Sequence, residues 1–584
     1  INPFKNSAMK YPCIFIVLII IFMVPDTAAQ GNDLSDQTDH LFQKWDREDS
    51  PGCALAVIRD GAIIYQKGYG MADLEHDVPI APETVFYIGS NSKQFVSFCI
   101  LLLQEQGKLD LNDDIHEYIP DFPDYEVPIT IRHLIHHTSG IRDYLNLFMH
   151  AGRNYLDHIS GEEAYDMICR QKALNFPPGE EHLYSNSCYF LLWQIIEKAS
   201  GKSLREFGEE KIFQPLGMRN TSFHDDNTRL VKNRAFSYFP KDSTTFGNLI
   251  MRFDLVGSGG LYTTVEDLFL WDQNFYSNKL GKGDQGLITM MHENGKLNNG
   301  NEIDYAFALI NGKYRGARTV KHGGALAGYR SQILRFPDLR FSVIILANVS
   351  DFAPDALAYE VADLYLGKEL DPQKAGTKTD ISSDRGGQDI DPVVFDKYIG
   401  RYELAPNYIL NVFREQGRML VQLTGQPAVE IFPESEKRFF LKIVDAQIEF
   451  GLNEDGSVKG MVLFQNGQAV PGIRMDNLKL TEEMKSEFVG DYYSEELDAT
   501  YRIFLDDEKL MLRVGYFPVV HLMPSREDVF EGGFTYKFFR DGDGAVTGFT
   551  LDAGRVRNMR FQKMGPGPDH GVAASLSSCE MISE

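Results

Sequence analysis

The pattern of hydrophobic and polar positions differs between regions of the chain and predicts different secondary structure in each. Between about residues 35 and 370, apolar runs of helical length alternate with short runs typical of strands. Residues 54–65 form two apolar runs around Asp60-Gly61, and this dipeptide favours the positive φ values of a tight hairpin turn. Residues 95–103 are apolar almost all round, which predicts a buried helix.

Beyond residue 390 the pattern changes to short alternating strands, and it does so twice. The recurring pairs are 398–402 with 488–492, 420–423 with 510–513, and 455–460 with 543–548, at offsets of 90, 90 and 88 residues. Three matches in one order predict a duplicated all-β unit. Turn signals every ten residues or so fit up-and-down antiparallel barrels of the lipocalin-like kind. Chance similarity between two β-rich stretches is the alternative.

These patterns predict the domain boundaries of the C-terminal half. The expected segments are a Pro-, Gly- and Ser-containing linker at 371–390, a first barrel at 391–477, a second barrel at 478–564, and a loose tail at 565–584.

The N-terminus has the pattern of an export signal. Lys5 and Lys10 precede the uncharged apolar run 11–24, and small residues follow immediately before Gln30. A membrane anchor is the competing interpretation, but it needs about 20 apolar residues, more than this run offers. We therefore expect a signal peptide over residues 1–29, a periplasmic or extracellular protein, and no stable membrane span after cleavage.

Charge and cysteine content narrow the function classes. The chain has 584 residues, with 58 Lys and Arg against 83 Asp and Glu, a formal net charge of −25. Nucleic acid is therefore an improbable partner, because phosphate contacts need clustered basic residues. The six cysteines contain no CxxC pair, so we expect no structural zinc site, and the sequence gives no reason to expect a cofactor.

The segment Ser90-Asn91-Ser92-Lys93 opens the predicted buried helix. Positions i and i+3 share a helix face, so the hydroxyl and the amine can meet at the helix N-terminus. A desolvated, neutral lysine can there take the serine proton, and the first-turn N–H groups favour developing negative charge. The motif is weak by itself, since Ser7 and Lys10 repeat it inside the export signal. An N-cap serine with a solvated lysine is the alternative.

Further motifs accompany it. They are Tyr184-Ser185-Asn186 before a second apolar run at 188–199, His322-Gly323-Gly324 after a strand-like run, the His-Thr-Ser-Gly segment at 137–140, and the glycine-rich segment at 257–261. The glycines near His322 leave room for a substrate backbone beside the strand.

Taken in order, Ser90-x-x-Lys93, Tyr184-x-Asn186 and His322-x-Gly324 resemble the serine β-lactamase and penicillin-binding protein superfamily. The pattern is most similar to the class C-like branch of D-aminopeptidases, D-Ala-D-Ala carboxypeptidases and esterases, over residues 35–370. The resemblance implies an α+β catalytic domain, with an antiparallel sheet flanked by helices. It also implies a serine hydrolase that acts through an acyl-enzyme on small amides or esters, above all D-amino-acid peptides.

The resemblance also implies roles for the motif residues. Ser90 is expected to be the nucleophile and Lys93 its proton acceptor. Tyr184 is expected to be the second acid/base, and its phenol needs the positive field of Lys93 to work as a phenolate near neutrality. Asn186 is expected to hold the Lys93 amine and a substrate amide oxygen. Tyr144, which also stands two residues before an asparagine, is the competing choice for Tyr184.

For the strand motif, the resemblance implies that the backbone N–H groups of Ser90 and Ala325 form the oxyanion hole, with Gly324 and His322 facing the substrate. Many relatives carry lysine where this chain has His322. A neutral imidazole offers no fixed cation, which weakens the case for a β-lactam or a free peptide C-terminus as ligand. A packing role for His322 is the alternative.

Several interpretations stay open at this stage. In similar D-aminopeptidases two barrels follow the catalytic domain and one sends a loop over the active site, whereas the barrels here could equally be spacers. A β-lactamase, a carboxylesterase or a non-catalytic binding module for cell-wall peptides are rival functions. His133, His136 and His137 could be mistaken for metal ligands, but structural roles are expected for them.

Overall fold

The computed structural model describes residues 27–565, except 155–156, 243, 372–391, 406–407, 416, 425, 427, 442–445, 466–467, 476–477 and 516. The predicted export signal, linker and tail fall outside the described residues, apart from the positions at their edges. Within the described part of the chain, no helix has the length and apolar character needed to cross a membrane. The described cysteines, at positions 53, 99, 169 and 188, are unpaired.

The N-terminal domain combines thirteen strands with eleven helices in its described residues. Its strands are β1 (Cys53–Arg59), β2 (Ala62–Tyr69), β3 (Met71–Asp73), β4 (Val78–Pro79), β5 (Phe86–Tyr87), β6 (Ser222–Phe223), β7 (Tyr238–Pro240), β8 (Phe246–Asn248), β9 (Leu261–Thr263), β10 (Ile310–Tyr314), β11 (Ala317–Leu326), β12 (Tyr329–Phe336) and β13 (Phe341–Ala347). Its helices are α1 (Thr27–Phe42), α2 (Lys93–Glu105), α3 (Ile131–Ile135), α4 (Tyr144–His150), α5 (Gly161–Cys169), α6 (Asn186–Ser200), α7 (Leu204–Gly208), α8 (Gln214–Leu216), α9 (Val265–Asn274), α10 (Gly286–Met291) and α11 (Pro354–Leu366).

An antiparallel six-stranded sheet, in the order β10-β11-β12-β13-β1-β2, is the scaffold of this domain. The predicted hairpin is confirmed, because Arg59 pairs with Ala62 across a turn in which Asp60 and Gly61 have φ values of 50° and 84°. Side chains alternate between the two faces of the sheet. Leu55 and its neighbours on one face pack with α1 and α11, whereas Ala54 and its neighbours on the other face join the core around α2 and α6.

Two all-β units follow. The first contains the short helix α12 (Pro392–Asp396) and strands β14 (Gly400–Ala405), β15 (Tyr408–Glu415), β16 (Arg418–Leu423), β17 (Val429–Pro433), β18 (Arg438–Leu441), β19 (Ala446–Leu452), β20 (Val458–Gln465) and β21 (Gln468–Met475). Each strand pairs with the next, and β14 pairs with β21, so the barrel is closed.

The second unit contains α13 (Glu482–Ser486) and strands β22 (Gly490–Ser494), β23 (Ala499–Asp506), β24 (Lys509–Val514), β25 (Val520–His521), β26 (Met523–Arg526), β27 (Val529–Glu531), β28 (Thr535–Arg540), β29 (Val546–Ala553) and β30 (Val556–Lys563). Here β22 pairs with β30, and β25 and β26 are the two ends of the sheet, so the barrel is nearly closed. The predicted fold class, an α+β domain followed by two antiparallel barrels, is confirmed.

The internal repeat is visible as repeated local geometry. The Tyr402 hydroxyl donates to the Tyr398 carbonyl at 2.8 Å, and 90 residues later the Tyr492 hydroxyl donates to the Phe488 carbonyl at the same distance. A glycine with φ near 152° precedes each tyrosine by two positions. By the same offset, β25 and β26 together correspond to the single strand β17, and this break explains why the second barrel has nine strands.

The second barrel packs directly on the catalytic domain, and its aromatic core is continuous with the core of that domain. The fully buried Arg142 guanidinium donates to the Glu496 carboxylate at 2.6 Å and to the Gln171 side chain at 3.0 Å. It also donates to the backbone carbonyls of Arg557 and Asn558 on β30. These hydrogen bonds hold the start of β30 and the preceding turn against the catalytic domain, at the residues that follow the His-Thr-Ser-Gly motif of 137–140.

Candidate active site

Ser90 lies in a 3₁₀ turn, Gly89–Ser92, that leads directly into α2. Gly89 has a φ of 53°, and a Cβ there would lie 2.7 Å from the backbone nitrogen of Ala325. A Cβ on Gly324 would lie 1.9 Å from the Ile88 carbonyl oxygen. Both glycines are therefore needed for the helix tip to approach β11, and this approach brings the Ser90 and Ala325 backbones together at the cleft.

Lys93 is fully buried, and its Nζ has three neighbours. It lies 2.9 Å from Asn186 Oδ1, 2.6 Å from the Ser258 carbonyl oxygen and 3.1 Å from Ser90 Oγ. Burial lowers the pKa of Lys93 well below its usual value, although the nearby Asp143 carboxylate opposes this shift. A neutral amine has two N–H groups and one lone pair. The two pure acceptors use the N–H groups, so the lone pair points to the Ser90 hydroxyl.

Asp143 determines how Asn186 presents its amide. Its completely buried carboxylate accepts from Asn186 N at 2.7 Å and Asn186 Nδ2 at 2.8 Å, which directs Oδ1 of the same amide to Lys93. Its other oxygen caps α4 by accepting from the backbone of Leu145 and Asn146. An aspartate before a short apolar run indicates an N-cap in the sequence. The sequence pattern does not show, however, that Asp143 contacts the motif Tyr184-Ser185-Asn186.

Tyr184 faces Lys93, with the amine 4.8 Å from the centre of its ring. Its hydroxyl is buried and lies near the Ser90 hydroxyl. Burial raises the pKa of Tyr184, while the nearby Ser90 hydroxyl and the Arg555 guanidinium act in the opposite direction. Burial thus shifts the pKa of the amine down and that of the phenol up, which favours the neutral form of each group. That Tyr184 works as a phenolate in the positive field of Lys93 stays a prediction, and the burial of both groups opposes both charged forms.

The competing tyrosine occupies a different place. Tyr144 is buried, and its hydroxyl shares a 2.9 Å hydrogen bond with Ser258 Oγ. Asn146 lies in the first turn of α4, where its backbone is capped by Asp143. The structure thus brings Tyr184 and Asn186, rather than Tyr144 and Asn146, together with Ser90 and Lys93.

A chain of hydrogen bonds links the second motif to β11. Ser185 N donates to His137 Nδ1 at 3.2 Å, and the Tyr305 hydroxyl lies 3.3 Å from His137 Nε2 and 3.1 Å from His322 Nε2. His322 Nδ1 lies 2.7 Å from the Gly323 carbonyl. Because His137 Nδ1 accepts, we assign the remaining protons in one direction: His137 donates to Tyr305, Tyr305 donates to His322, and His322 donates to Gly323.

This assignment requires both imidazoles to be neutral. Burial lowers the pKa of His322 to about 4, and burial lowers that of His137 well below its usual value. His322 therefore lies beside the cleft as a neutral hydrogen-bonded group. Tyr305, which joins the two histidines, has no motif signal in the sequence.

Two further histidines near the His-Thr-Ser-Gly segment, His133 and His136, have structural partners. His133 Nδ1 accepts from the Thr130 backbone in a helix cap, and His136 Nδ1 lies 3.2 Å from the Tyr305 carbonyl oxygen. Elsewhere in the described residues, Asp73, Glu75 and His76 lie close enough to share an ion, but they are largely exposed, and Asp73 already pairs with His76.

An open cleft of about 820 Å³ is lined by Ser90, Tyr184, Asn186, Tyr305 and His322. Its apolar wall includes Leu145, Phe253 and Leu326, and two arginines also face it, Arg330 from β12 and Arg555 from the second barrel. Arg555 is far from Ser90 in the sequence and belongs to none of the motifs identified there.

The fold and this arrangement define a class: a serine hydrolase with the β-lactamase/transpeptidase architecture. Comparison with known proteins then gives the family. Residues 38–366 match the family described as Beta-lactamase, which is more than half of the chain, and the chain belongs to that family. Residues 385–484, which include the first barrel, match a model described as a domain of unknown function.

Among named relatives, the chain is 32% identical over 446 residues to penicillin-binding protein 4* of Bacillus subtilis, covering 72% of this chain and 94% of the relative. It is 26% identical over 539 residues to a D-aminopeptidase of Brucella anthropi, covering 88% and 95%. The fold resembles that of the octameric penicillin-binding protein homologue from Pyrococcus abyssi, with a TM-score of 0.53 at 22% identity, over 84% of this chain and 99% of the other.

The two tyrosines can be separated by matched substitutions. We expect Tyr184→Phe to lower kcat/KM for an amide substrate such as D-alanine p-nitroanilide by about 10²- to 10⁴-fold, because the leaving group loses its proton donor. Tyr144→Phe is expected to cost about 1 kcal/mol of stability through the lost Ser258 bond, with less than about a tenfold change in kcat/KM. Steady-state kinetics and thermal unfolding measure both. A reversed order of the two kinetic effects would show that the second motif is the one at Tyr144.

The neutral His322 predicts a pH dependence of stability. The folded-state pKa lies below that of an unfolded histidine, so between about pH 6.5 and 4 the unfolded chain binds more protons. The stabilisation is complete above about pH 6.5 and is lost as the pH falls toward 4, by about 3 kcal/mol for this group. His322→Gln is expected to reduce that loss in denaturant titrations. His40→Gln, at an exposed position, is the control, and equal pH slopes in both variants would contradict the neutral assignment.

Proposed function

We propose that this serine hydrolase cleaves small D-amino-acid peptides and amides through an acyl-enzyme formed on Ser90. The observation that carries the proposal is the environment of the Lys93 amine. Two acceptors use its N–H groups, and its lone pair is left for the Ser90 hydroxyl at 3.1 Å. A serine at a helix tip with such a base is an activated nucleophile.

In the proposed first half-reaction, Ser90 Oγ attacks the substrate carbonyl carbon while its proton passes to Lys93. The backbone N–H groups of Ser90 and Ala325 stabilise the oxyanion, and removing one such donor typically costs about 3 kcal/mol of transition-state stabilisation. The neutral Tyr184 phenol then donates its proton to the leaving nitrogen and recovers a proton from Lys93. The result is an acyl-Ser90 ester and a free amine.

The second half-reaction reverses these roles. Water attacks the ester carbonyl and gives a proton to the same Lys93–Tyr184 pair, and Ser90 Oγ leaves as the restored hydroxyl. Asp143 takes no proton in this scheme. Its contribution is to keep Asn186 Oδ1 on the amine throughout the cycle.

Two observations favour D-amino-acid substrates. The alignment with the D-aminopeptidase of Brucella anthropi covers 88% of this chain, so it extends beyond the catalytic domain into the barrels, and it covers 95% of that protein. The neutral His322 also resembles the His-x-Gly form of such peptidases rather than the lysine of many β-lactamases.

We also propose that the protein is exported, on the basis of the N-terminal pattern. Expression of the full chain in a bacterial host is expected to give an extracytoplasmic protein whose N-terminal residue is Gln30, as determined by N-terminal sequencing. Retention of the full chain in the cytoplasm would contradict this proposal.

A substrate panel tests the catalytic proposal. We expect turnover of D-alanine p-nitroanilide to exceed that of the L-isomer and of nitrocefin, and Ser90→Ala to reduce it by about 10⁴-fold or more. Lys93→Met is expected to have a comparable effect, whereas Lys108→Met, at an exposed position, is the matched control.

The panel distinguishes the rival functions. A short-chain p-nitrophenyl ester hydrolysed without any amide turnover would make the protein a carboxylesterase, and efficient nitrocefin hydrolysis would make it a β-lactamase. An unchanged rate in Ser90→Ala would reject the mechanism.

A further inference from the structure

The turn between β29 and β30 enters the catalytic cleft from the second barrel. The carbonyl oxygen of Arg555, at the tip of this turn, accepts from Asn175 Nδ2 at 3.0 Å and from Asp143 N at 3.4 Å. Two residues later, Arg557 N donates to Asn175 Oδ1 at 2.8 Å. The backbone of the turn is therefore fixed on the catalytic domain at Arg555 and at Arg557.

The Arg555 side chain points along the cleft wall beside the acid/base. Its guanidinium lies 4.7 Å from the centre of the Tyr184 ring, and its Nη1 lies 3.6 Å from Asp143 Oδ2. The side chain is 42% exposed, whereas that of Asp143 is fully buried. Arg555 therefore presents a positive charge to whatever occupies the cleft, within reach of Ser90 and Tyr184.

Asp143 does not use the hydrogen-bonding capacity of this guanidinium. Four N–H donors already occupy its two oxygens, two from the α4 backbone and two from Asn186. At 3.6 Å the arginine is an electrostatic neighbour rather than a hydrogen-bond donor. The Arg555 side chain donates no hydrogen bond to any residue in the described part of the chain, and its planar fork suits a carboxylate.

The other basic groups near the cleft are already engaged. Arg330 Nη1 donates to the backbone carbonyls of Ala327 and Tyr329. Lys321 pairs with Asp355 at 2.9 Å. His322 and Lys93 both have lowered pKa values because they are buried.

Two acidic side chains, Asp304 and Asp355, also line the cleft. Asp355 is paired with Lys321, and Asp304 precedes Tyr305 and interacts with His182. Arg555 therefore offers an anionic group of a substrate a cation whose N–H groups donate to no residue in the described part of the chain.

We propose that Arg555 is a specificity-determining residue that binds a carboxylate of the substrate, so that the site prefers small peptides or amides with an anionic group near the scissile bond. This inference rests on the function proposed above. It also assigns the second barrel a direct part in substrate choice, because the catalytic domain does not contribute this cation.

Matched pairs of substrates test the proposal. D-Ala-D-Ala is compared with D-alanyl-D-alaninamide, and D-glutamate p-nitroanilide with D-glutamine p-nitroanilide, so that each pair differs by one charge at nearly constant shape. The readout is the ratio of kcat/KM for the carboxylate member to that for the neutral member. Both members of a pair are measured with the same variant. Their ratio therefore cancels any general effect that a substitution of Arg555 has on Lys93 or Tyr184.

We expect the wild-type protein to prefer the carboxylate member of at least one pair by about 10- to 100-fold, the value of a hydrogen-bonded charge pair. Arg555→Gln is expected to bring that ratio close to one, Arg555→Glu to bring it below one, and Arg555→Lys to keep part of it. Arg557→Gln is the matched control in the same hairpin, because the Arg557 side chain pairs with Glu181 instead of facing the cleft, and its ratio is expected to equal that of the wild type.

Two results would overturn the proposal. One is a wild-type ratio near one in both pairs. The other is an Arg555→Gln variant, with an unchanged thermal unfolding midpoint, that slows both members of each pair equally, since Arg555 would then act only as the counter-ion of Asp143. Either result leaves the proposed hydrolase intact. Absence of Ser90-dependent turnover of every member of both pairs would instead reject the hydrolase function and, with it, this inference.

Discussion

The desolvation of one amine is the constraint on which the whole site depends. Lys93 is buried among aromatic rings and polar groups, and its environment disfavours the ammonium form. Burying a charge without full compensation is expensive, so the protein holds this group as a base rather than as a cation. Asn186 and the Ser258 carbonyl stabilise the amine without supplying charge, and they leave its lone pair for Ser90. The negative charge of the Asp143 carboxylate opposes this shift, and the same carboxylate orients Asn186.

The second barrel is part of this site rather than an attachment to it. The Arg142–Glu496 ion pair is buried, and breaking such a pair is costly because it leaves one charge without its partner. Arg142 directly precedes Asp143, so the interface that docks the barrel also fixes the residue that orients Asn186. The same docking carries Arg555 to the Tyr184 ring. The geometry of the base and the charge of the cleft therefore both depend on contact between two domains that are far apart in the sequence.

The parts of this arrangement that the sequence predicts are those written in short-range patterns. The i, i+3 spacing of Ser90 and Lys93, the hairpin turn at Asp60-Gly61 and the 90-residue repeat are all properties of local segments or of their direct comparison. Asp143, Tyr305 and Arg555 could not be found in this way, because their roles come from tertiary contacts with no spacing rule. The phenolate prediction for Tyr184 meets the same limit, because a pKa depends on burial and the solvent exposure of a side chain cannot be read from its motif.

The burial of Lys93 also bears on where the cleft carries its positive charge, at Arg555. A lysine in place of His322 would place a cation close to the Lys93 amine and would break the neutral chain that joins His137, Tyr305 and His322. Arg555 comes from the second barrel and lies beside the Asp143 carboxylate, whose negative charge offsets part of the positive charge of the guanidinium. Its charge lowers the pKa values of both Lys93 and Tyr184. A substrate carboxylate bound to Arg555 would offset that charge. Binding of such a substrate in the cleft would therefore shift the pKa values of Lys93 and Tyr184, and Arg555 is the side chain that couples the two.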